Sequence, residues 1–225
     1  MTVFSKPRIP VDWIELDTIL LDMDGTLLDR HFDDYFWETY VPDIFASKHG
    51  MSLSEAKERL LDMYRAREKT LDWTDLDFWS DSLGLDIPSL KLRVQHLIQV
   101  HPFVLAFLSF CRTRGKKIYL VTNAHSKTLQ IKMQKTAIGN YFDRVVCSQE
   151  IGCPKEHTVF WEYLRKVIHY EPERTLLADD TEAVLVSAKR MGIRWLIFVA
   201  RPSSSLPPSF SSNFPSILYF KDLMP

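Results

Sequence analysis

A short strand-like run, Thr18-Ile19-Leu20-Leu21, stops abruptly at Asp22-Met23-Asp24-Gly25-Thr26-Leu27. The run is continuously apolar after its first residue, as expected for a parallel strand covered on both faces. Carboxylates directly after a buried strand are costly unless a cation or a proton neutralises them. Alternate positions bring Asp22 and Asp24 near one point where the strand ends. Gly25 permits a sharp exit turn there. A simple Asp-Gly turn or helix cap would use the same residues, so the reading depends on what else the chain brings to that point.

Four more runs have strand character, at 117–121, 144–147, 175–178 and 195–199. Helical patterns separate most of them. Ser126 can cap a helix to about Ala137, closed near Gly139. Pro154 precedes a helix over 156–168, and Gly192 ends one over 182–191. Strand–helix alternation predicts an α/β fold with a doubly wound parallel sheet.

The first strand is followed by nearly a hundred residues before the second. Most of that stretch reads as helix. Residues 32–46 are rich in aromatics at helical spacing, and Ser52 with Glu55 forms a capping-box pattern. Residues 74–83 end at Gly84. Pro88 opens a helix running to about Val100, and 103–114 form a core helix ended by Gly115. This predicts a core of residues 1–30 and 102–225 with a helical cap of residues 31–101. An insertion at a strand's C-terminal end sits where α/β sheets bind ligands, so it is placed to act as a lid. Residues 202–215 read as an exposed loop, and 217–220 as a return to the core surface.

The chain's 225 residues suffice for one such domain plus an insertion. Net charge is −1, which gives no basis for nucleic acid or an anionic membrane as partner. The longest apolar stretches are strand-sized, so no membrane span is expected. Residues 1–12 carry Lys6 and Arg8 without a following apolar run, so no signal peptide is expected. Cys111, Cys147 and Cys153 form no CxxC pair, and an odd count is a poor disulfide framework. Three reduced thiols and a cytoplasmic location follow as expectations. Nothing in the sequence sets the oligomeric state.

Three further signals join Asp22 and Asp24. Ile118-Tyr119-Leu120-Val121-Thr122-Asn123 is a strand ending in a hydroxyl and an amide. Lys155 follows Pro154 at a helix start; alone it reads as an ordinary solvated lysine. Leu176-Leu177-Ala178-Asp179-Asp180-Thr181 ends in paired acids, which repel unless a cation lies near. In a doubly wound sheet all these strand ends share one edge. Hard cations prefer such oxygen ligands, and magnesium adds waters and a substrate phosphate oxygen. A lysine there offsets residual negative charge and binds phosphate.

These four motifs, in this order and with a helical insertion after the first, resemble the haloacid dehalogenase superfamily over essentially the whole chain. The resemblance implies a Rossmann-like core and a magnesium-dependent phosphatase. It implies that Asp22 attacks phosphorus to give an aspartyl-phosphate, and that Asp24 protonates the leaving oxygen and then activates water. Thr122 and the backbone near Asn123 would hold phosphoryl oxygens, and Lys155 would stabilise the transferring group. The metal would be held by Asp22, the carbonyl of Asp24, and Asp180, with Asp179 supporting from behind. Many members carry glycine where Asp179 stands and a later acid where Val184 stands, so this chain resembles the two-acid variant of the motif. The reverse order of Asp179 and Asp180 stays open, because adjacent strand-end acids are hard to order from sequence. Asp24 argues against haloalkanoate dehalogenases, which lack that acid. Lys48, Lys57 and Lys69 fit charged helix faces better than a phosphonatase lysine.

The flanks, including His31-Phe32-Asp33-Asp34-Tyr35-Phe36-Trp37, Thr122-Asn123-Ala124-His125 and Pro154-Lys155-Glu156, look like bacterial GMP/IMP nucleotidases of that superfamily. This implies a small phosphorylated substrate, a purine 5′-nucleotide. The alternatives are a sugar-phosphate or phosphoglycolate-type phosphatase, or a non-catalytic binding protein on the same fold. Phe32, Phe36 and Trp37 read mainly as core, while one insertion aromatic is free to stack on a base. Asp33, Asp34 and Arg67 are candidates to read the base edge. His125 and Arg201 flank the motifs without an assigned role.

Overall fold

The computed structural model describes residues 11–225, so most of the N-terminal reading of residues 1–12 lies outside the described residues. One parallel sheet contains β1 (Thr18–Leu21), β2 (Lys117–Thr122), β3 (Arg144–Cys147), β4 (Thr175–Asp179), β5 (Trp195–Val199) and β6 (Ser216–Ile217). Their order is β3-β2-β1-β4-β5-β6. The sheet winds outward in both directions from β1 and β4, which pair directly. The crevice beyond their carboxyl ends is therefore the topological switch point, where such sheets bind ligands.

The expected strands are present, with β2 and β4 each one residue longer. Strand β6 was not expected. It covers the edge of β5, which would otherwise present unpaired backbone groups. Residues 217–220 were expected at the core surface, yet Ile217 and Phe220 are buried. Phe220 stacks on Phe107 at a centroid distance of 4.5 Å. The 202–215 loop is exposed from Ser204 to Phe210, but Ser203 is buried, and its neighbours are tied down: Arg30 N–H donates to Pro202 O and Ser204 N–H to Asp29.

Alternate strand residues serve opposite faces, as the pleat requires. Leu20, Val121, Leu177 and Leu196 share one apolar cluster. Helices α9 (Thr158–Ile168) and α10 (Glu182–Arg190) cover that face. Ile19, Leu21, Leu120, Leu176 and Ile197 belong to a second cluster. This second cluster runs without a break into the helices that follow β1.

Those helices are α1 (His31–Tyr35), α2 (Val41–His49), α3 (Leu53–Arg65), α4 (Leu76–Leu83) and α5 (Ile87–Arg93). A π-helical turn, Phe36–Tyr40, joins α1 to α2. Pro42 explains it: proline has no N–H to give the carbonyl one turn back, and Val41 N–H donates to Phe36 O, five residues earlier. The capping box at Ser52 and Glu55 is formed as expected.

The helix expected from Pro88 to about Val100 ends at Arg93. The chain must return to the core, and it does so through an antiparallel bridge between Leu28 and Val100. Bonds from Asp29 N–H to Gln99 O and from His101 N–H to Leu27 O flank that bridge. The helix expected from Glu156 begins two residues later, after a turn closed by His157 N–H to Pro154 O. The chain then completes with α6 (Val104–Thr113), α7 (Ser126–Thr136) and α8 (Ser148–Ile151). His125, rather than Ser126, caps α7: its Nδ1 accepts from Lys127 N–H.

Candidate active site

Asp22 and Asp179 each follow a residue of the α9–α10 face, Leu20 and Leu177, by two positions. The pleat therefore turns both toward that face. Lys155 reaches them from the turn before α9. Its Nζ lies 2.6 Å from Asp22 Oδ1 and 2.7 Å from Asp179 Oδ2. It also donates to Val121 O at 3.1 Å. Lys155 is buried, and the two-residue delay in α9 leaves its backbone free to be pinned elsewhere. Asn123 Oδ1 accepts from Lys155 N–H at 3.1 Å, and Trp161 Nε1 donates to Lys155 O at 2.9 Å. Asn123 Nδ2 donates to Glu156. The side chain of Asn123 is thus committed to the lysine loop, and any phosphate contact it makes is through its backbone.

Thr122 is buried at the end of β2. Its Oγ1 accepts from Ala124 N–H at 3.0 Å, which directs the hydroxyl proton elsewhere. Asp24 is half-buried, and Lys132 of α7 pairs with it. Asp180 pairs with Arg30 Nη1 at 3.0 Å, and Arg30 also holds Asp34 at 3.2 Å. Asp179 accepts Thr181 N–H besides Lys155, so both of its oxygens are engaged.

Carboxylate oxygens of Asp22, Asp179 and Asp180 lie within 4.8 Å of one another. Burial raises the Asp22 pKa to about 6 against the attraction of Lys155, and the charge of Asp179 adds to the rise. Burial likewise raises Asp24 to about 6 against Lys132. Asp180 is pushed well above the carboxylate range, first by burial and then by Asp22 and Asp179. Lys155 is held charged: burial opposes this, but Asp179 and Asp22 outweigh it. The cluster is an excess of hard, poorly solvated oxygen donors, which fits a divalent cation. Gly25 supports the fit. It has φ +85°, and a Cβ there would lie 2.5 Å from Asp180 Oδ2, so only glycine allows the turn to close on the acid.

A cleft of about 240 Å³ opens between the helical segment and the sheet edge. Glu68, Lys69 and Trp73 line it on one side, and Asn123, Ser148 and Glu156 on the other. The last group includes the residues next in sequence to Thr122 and Lys155. Trp73 is 40% exposed, whereas Phe32, Phe36 and Trp79 are buried. Trp37 is half-buried against Tyr64 and Trp79, so the aromatics expected as core are packed there. Asp33 is taken up by Lys91 and Lys132, Asp34 by Arg30, and Arg67 by Asp72 and the face of Phe78. None of these three faces the cleft as a free base reader. Lys48 donates to Gly84 O, Lys57 is exposed, and Lys69 lines the cleft. A second polar group bridges the two sides near the surface: His125 Nε2 is 3.4 Å from Asp75, and Lys127 pairs with Asp77.

Sequence reasoning missed Arg30, Lys91 and Lys132. The two lysines carry a visible signal. Each falls on the buried face of its helix, Lys91 with Ile87, Leu90 and Val94, and Lys132 with Thr128 and Ile131.

The description haloacid dehalogenase-like hydrolase matches residues 16–192. The chain is 36% identical over 218 residues to the GMP/IMP nucleotidase YrfG of Escherichia coli, covering 97% of this chain and 98% of the relative. It is 32% identical to the pyrimidine 5′-nucleotidase YjjG of the same organism, over 29% of each chain. The crystal structure of a HAD phosphatase from Thermococcus onnurineus superposes with a TM-score of 0.80 at 25% identity, covering 92% of this chain and 96% of that one. A putative β-phosphoglucomutase from Thermotoga maritima shares the fold, with a TM-score of 0.68 at 16% identity over 93% of this chain and 97% of that one.

Proposed function

This chain belongs to the haloacid dehalogenase-like hydrolases, and on that premise we propose that it is a magnesium-dependent purine 5′-nucleotidase working through an aspartyl-phosphate. The observation that carries the chemistry is the buried Lys155 joining Asp22 to Asp179 beside Asp180 at the switch point of the sheet. The specificity rests on the GMP/IMP nucleotidase relative and on the cleft walled by Trp73.

Asp22 attacks phosphorus as the bond to the ribose oxygen breaks, and Asp24 gives that oxygen a proton. A pKa near 6 suits Asp24 to hold a proton close to neutrality and to take one back. Asp24 then removes a proton from water, which attacks phosphorus, frees Asp22 and leaves inorganic phosphate. Lys155 keeps Asp22 ionised and faces the charge that builds on the transferring group. The Thr122 hydroxyl and the backbone at Asn123 donate to its oxygens. Asp22, Asp180 and the main-chain carbonyl of Asp24 would hold magnesium, which supplies charge neutralisation at the phosphoryl oxygens. Asp179, fully engaged by Lys155 and Thr181, supports that set rather than joining it.

Residues 31–101 form the cap in this reading and 1–30 with 102–225 the core. The purine stacks on Trp73, a contact worth about 1–3 kcal/mol. Three free cysteines fit a cytoplasmic enzyme. Among the described residues no helix is long and apolar enough to cross a membrane.

The test is phosphate release from GMP, IMP, AMP, UMP and phosphoglycolate, with magnesium and with chelator. GMP or IMP should lead, and chelation should remove the activity. If phosphoglycolate or a hexose phosphate led by tenfold, about 1.4 kcal/mol at the transition state, the nucleotidase reading would fall and the phosphatase would stand.

A further inference from the structure

Lys132 is 1% exposed on α7, and its ammonium donates to both Asp24 and Asp33. Asp33, on α1, also accepts from Lys91 Nζ of α5 at 2.8 Å. Lys91 is itself 1% exposed, with its ammonium 4.9 Å and 4.6 Å from the ring centroids of Phe32 and Phe36. The four side chains alternate in sign, Asp24–Lys132–Asp33–Lys91, and run from the end of β1 into the helical segment. Burial opposes the ionisation of Asp33, but Lys132 and Lys91 outweigh it and hold its pKa below the ordinary range.

Such a chain is a poor way to gain stability. Burying an ammonium is costly, and an apolar residue on the buried face of α7 would avoid that cost. What the charges supply is geometry. Asp24 stands beyond the last strand residue, and two bonds from Lys132 tie its carboxylate to a helix and, through Asp33, to a second helix.

We propose that Lys132 is the positioning residue for Asp24, held in place from the helical segment by Asp33 and Lys91, so that proton transfer to the leaving group depends on this buried strut. The inference rests on the reading of Asp24 as the acid and base. Lys132 acts through Asp24 and takes no part in forming the bond between Asp22 and phosphorus.

The leaving group separates these roles. A nucleoside alkoxide needs the proton from Asp24, whereas p-nitrophenolate leaves without one. In single turnovers with enzyme in excess, Lys132→Met should slow release of guanosine from GMP by about 10²-fold, the scale of a lost general acid. Release of p-nitrophenolate from p-nitrophenyl phosphate should stay close to the wild-type rate, and KM should change little for either substrate. Lys132→Met leaves Asp33 paired with Lys91 and takes the partner only from the half-buried Asp24. Lys132→Gln, which keeps a neutral donor at the same place, secures a folded protein and should show the same split more weakly. Equal slowing of both substrates would mean a purely structural role and overturn the proposal, as would unchanged rates on both. A wild-type protein releasing neither leaving group would overturn the underlying phosphatase reading, and the proposal with it.

Discussion

Two of the lysine–acid pairings near the junction between the sheet edge and the helices above it differ in their surroundings. At the edge, Lys155 and its partners Asp22 and Asp179 have side chains no more than 8% exposed. At the rim, Lys127 and Asp77 are 48% and 59% exposed. The cleft wall lies between these extremes, with Trp73 at 40%. Charges at the edge interact in a medium that screens them weakly, so each position there is tied to the chemistry. Charges at the rim are screened by water and salt, so their pairing fixes little. In the proposed reading the edge handles the phosphoryl group, the same in every substrate, and the wall meets the leaving group, which differs.

The largest effect belongs to the edge. Asp22→Asn should lower turnover by about 10⁴-fold or more, since an amide is a very poor nucleophile. Phosphate release from GMP checks this, and a loss below tenfold would place the nucleophile elsewhere.

The same substitution exposes the cost of burying the acids. Between about pH 4 and 6 the folded, metal-free wild type keeps a proton on Asp22 that the unfolded chain has released. Its stability therefore falls as pH rises through that window, while the amide of the Asp22→Asn variant does not titrate. In chelator, Asp22→Asn should gain on the wild type across that range, reaching roughly 2–3 kcal/mol above pH 6. Buried His101 and His125 titrate alike in both proteins and cancel. A stability gap independent of pH in denaturant melts would contradict the raised pKa.

At the wall, Trp73→Ala should cost tenfold to a hundredfold in kcat/KM for GMP, the range of one lost base stack, and leave phosphoglycolate unchanged. Equal losses on both substrates would mean that Trp73 shapes the edge rather than the cleft.

At the rim, Lys127→Ala should leave Tm and kcat/KM within measurement error of the wild type at physiological salt. A clear loss would make the exposed pair part of the working site and erase the contrast.

The legibility of the sequence follows the same division. Strand ends were readable because a continuous apolar run stopped at acids, and a parallel sheet gathers such ends on one edge. Asp22, Asp24, Thr122, Lys155, Asp179 and Asp180 do gather there. The boundaries of α5 and α9 were not readable, since tertiary demands set them: the return bridge at Leu28–Val100 and the turn that frees Lys155. The π-helical turn was hidden because Pro42 looks like an ordinary early-helix proline until its missing bond is traced. Arg30, Lys91 and Lys132 were passed over because a lysine or arginine is most often solvated. The signal against that was strongest at Lys91, whose helix neighbours Ile87, Leu90 and Val94 are all apolar. Strand β6 is two residues long, too short to carry a pattern.

The central claim is that Asp22 takes the phosphoryl group. It is tested most directly by quenching the enzyme during turnover of GMP with magnesium, reducing the acyl phosphate with borohydride and sequencing the labelled peptide by mass spectrometry. The account predicts homoserine at position 22 and nowhere else, absent when GMP is omitted. Reduction at another carboxylate, or full turnover with no reducible intermediate at any quench time, would contradict it.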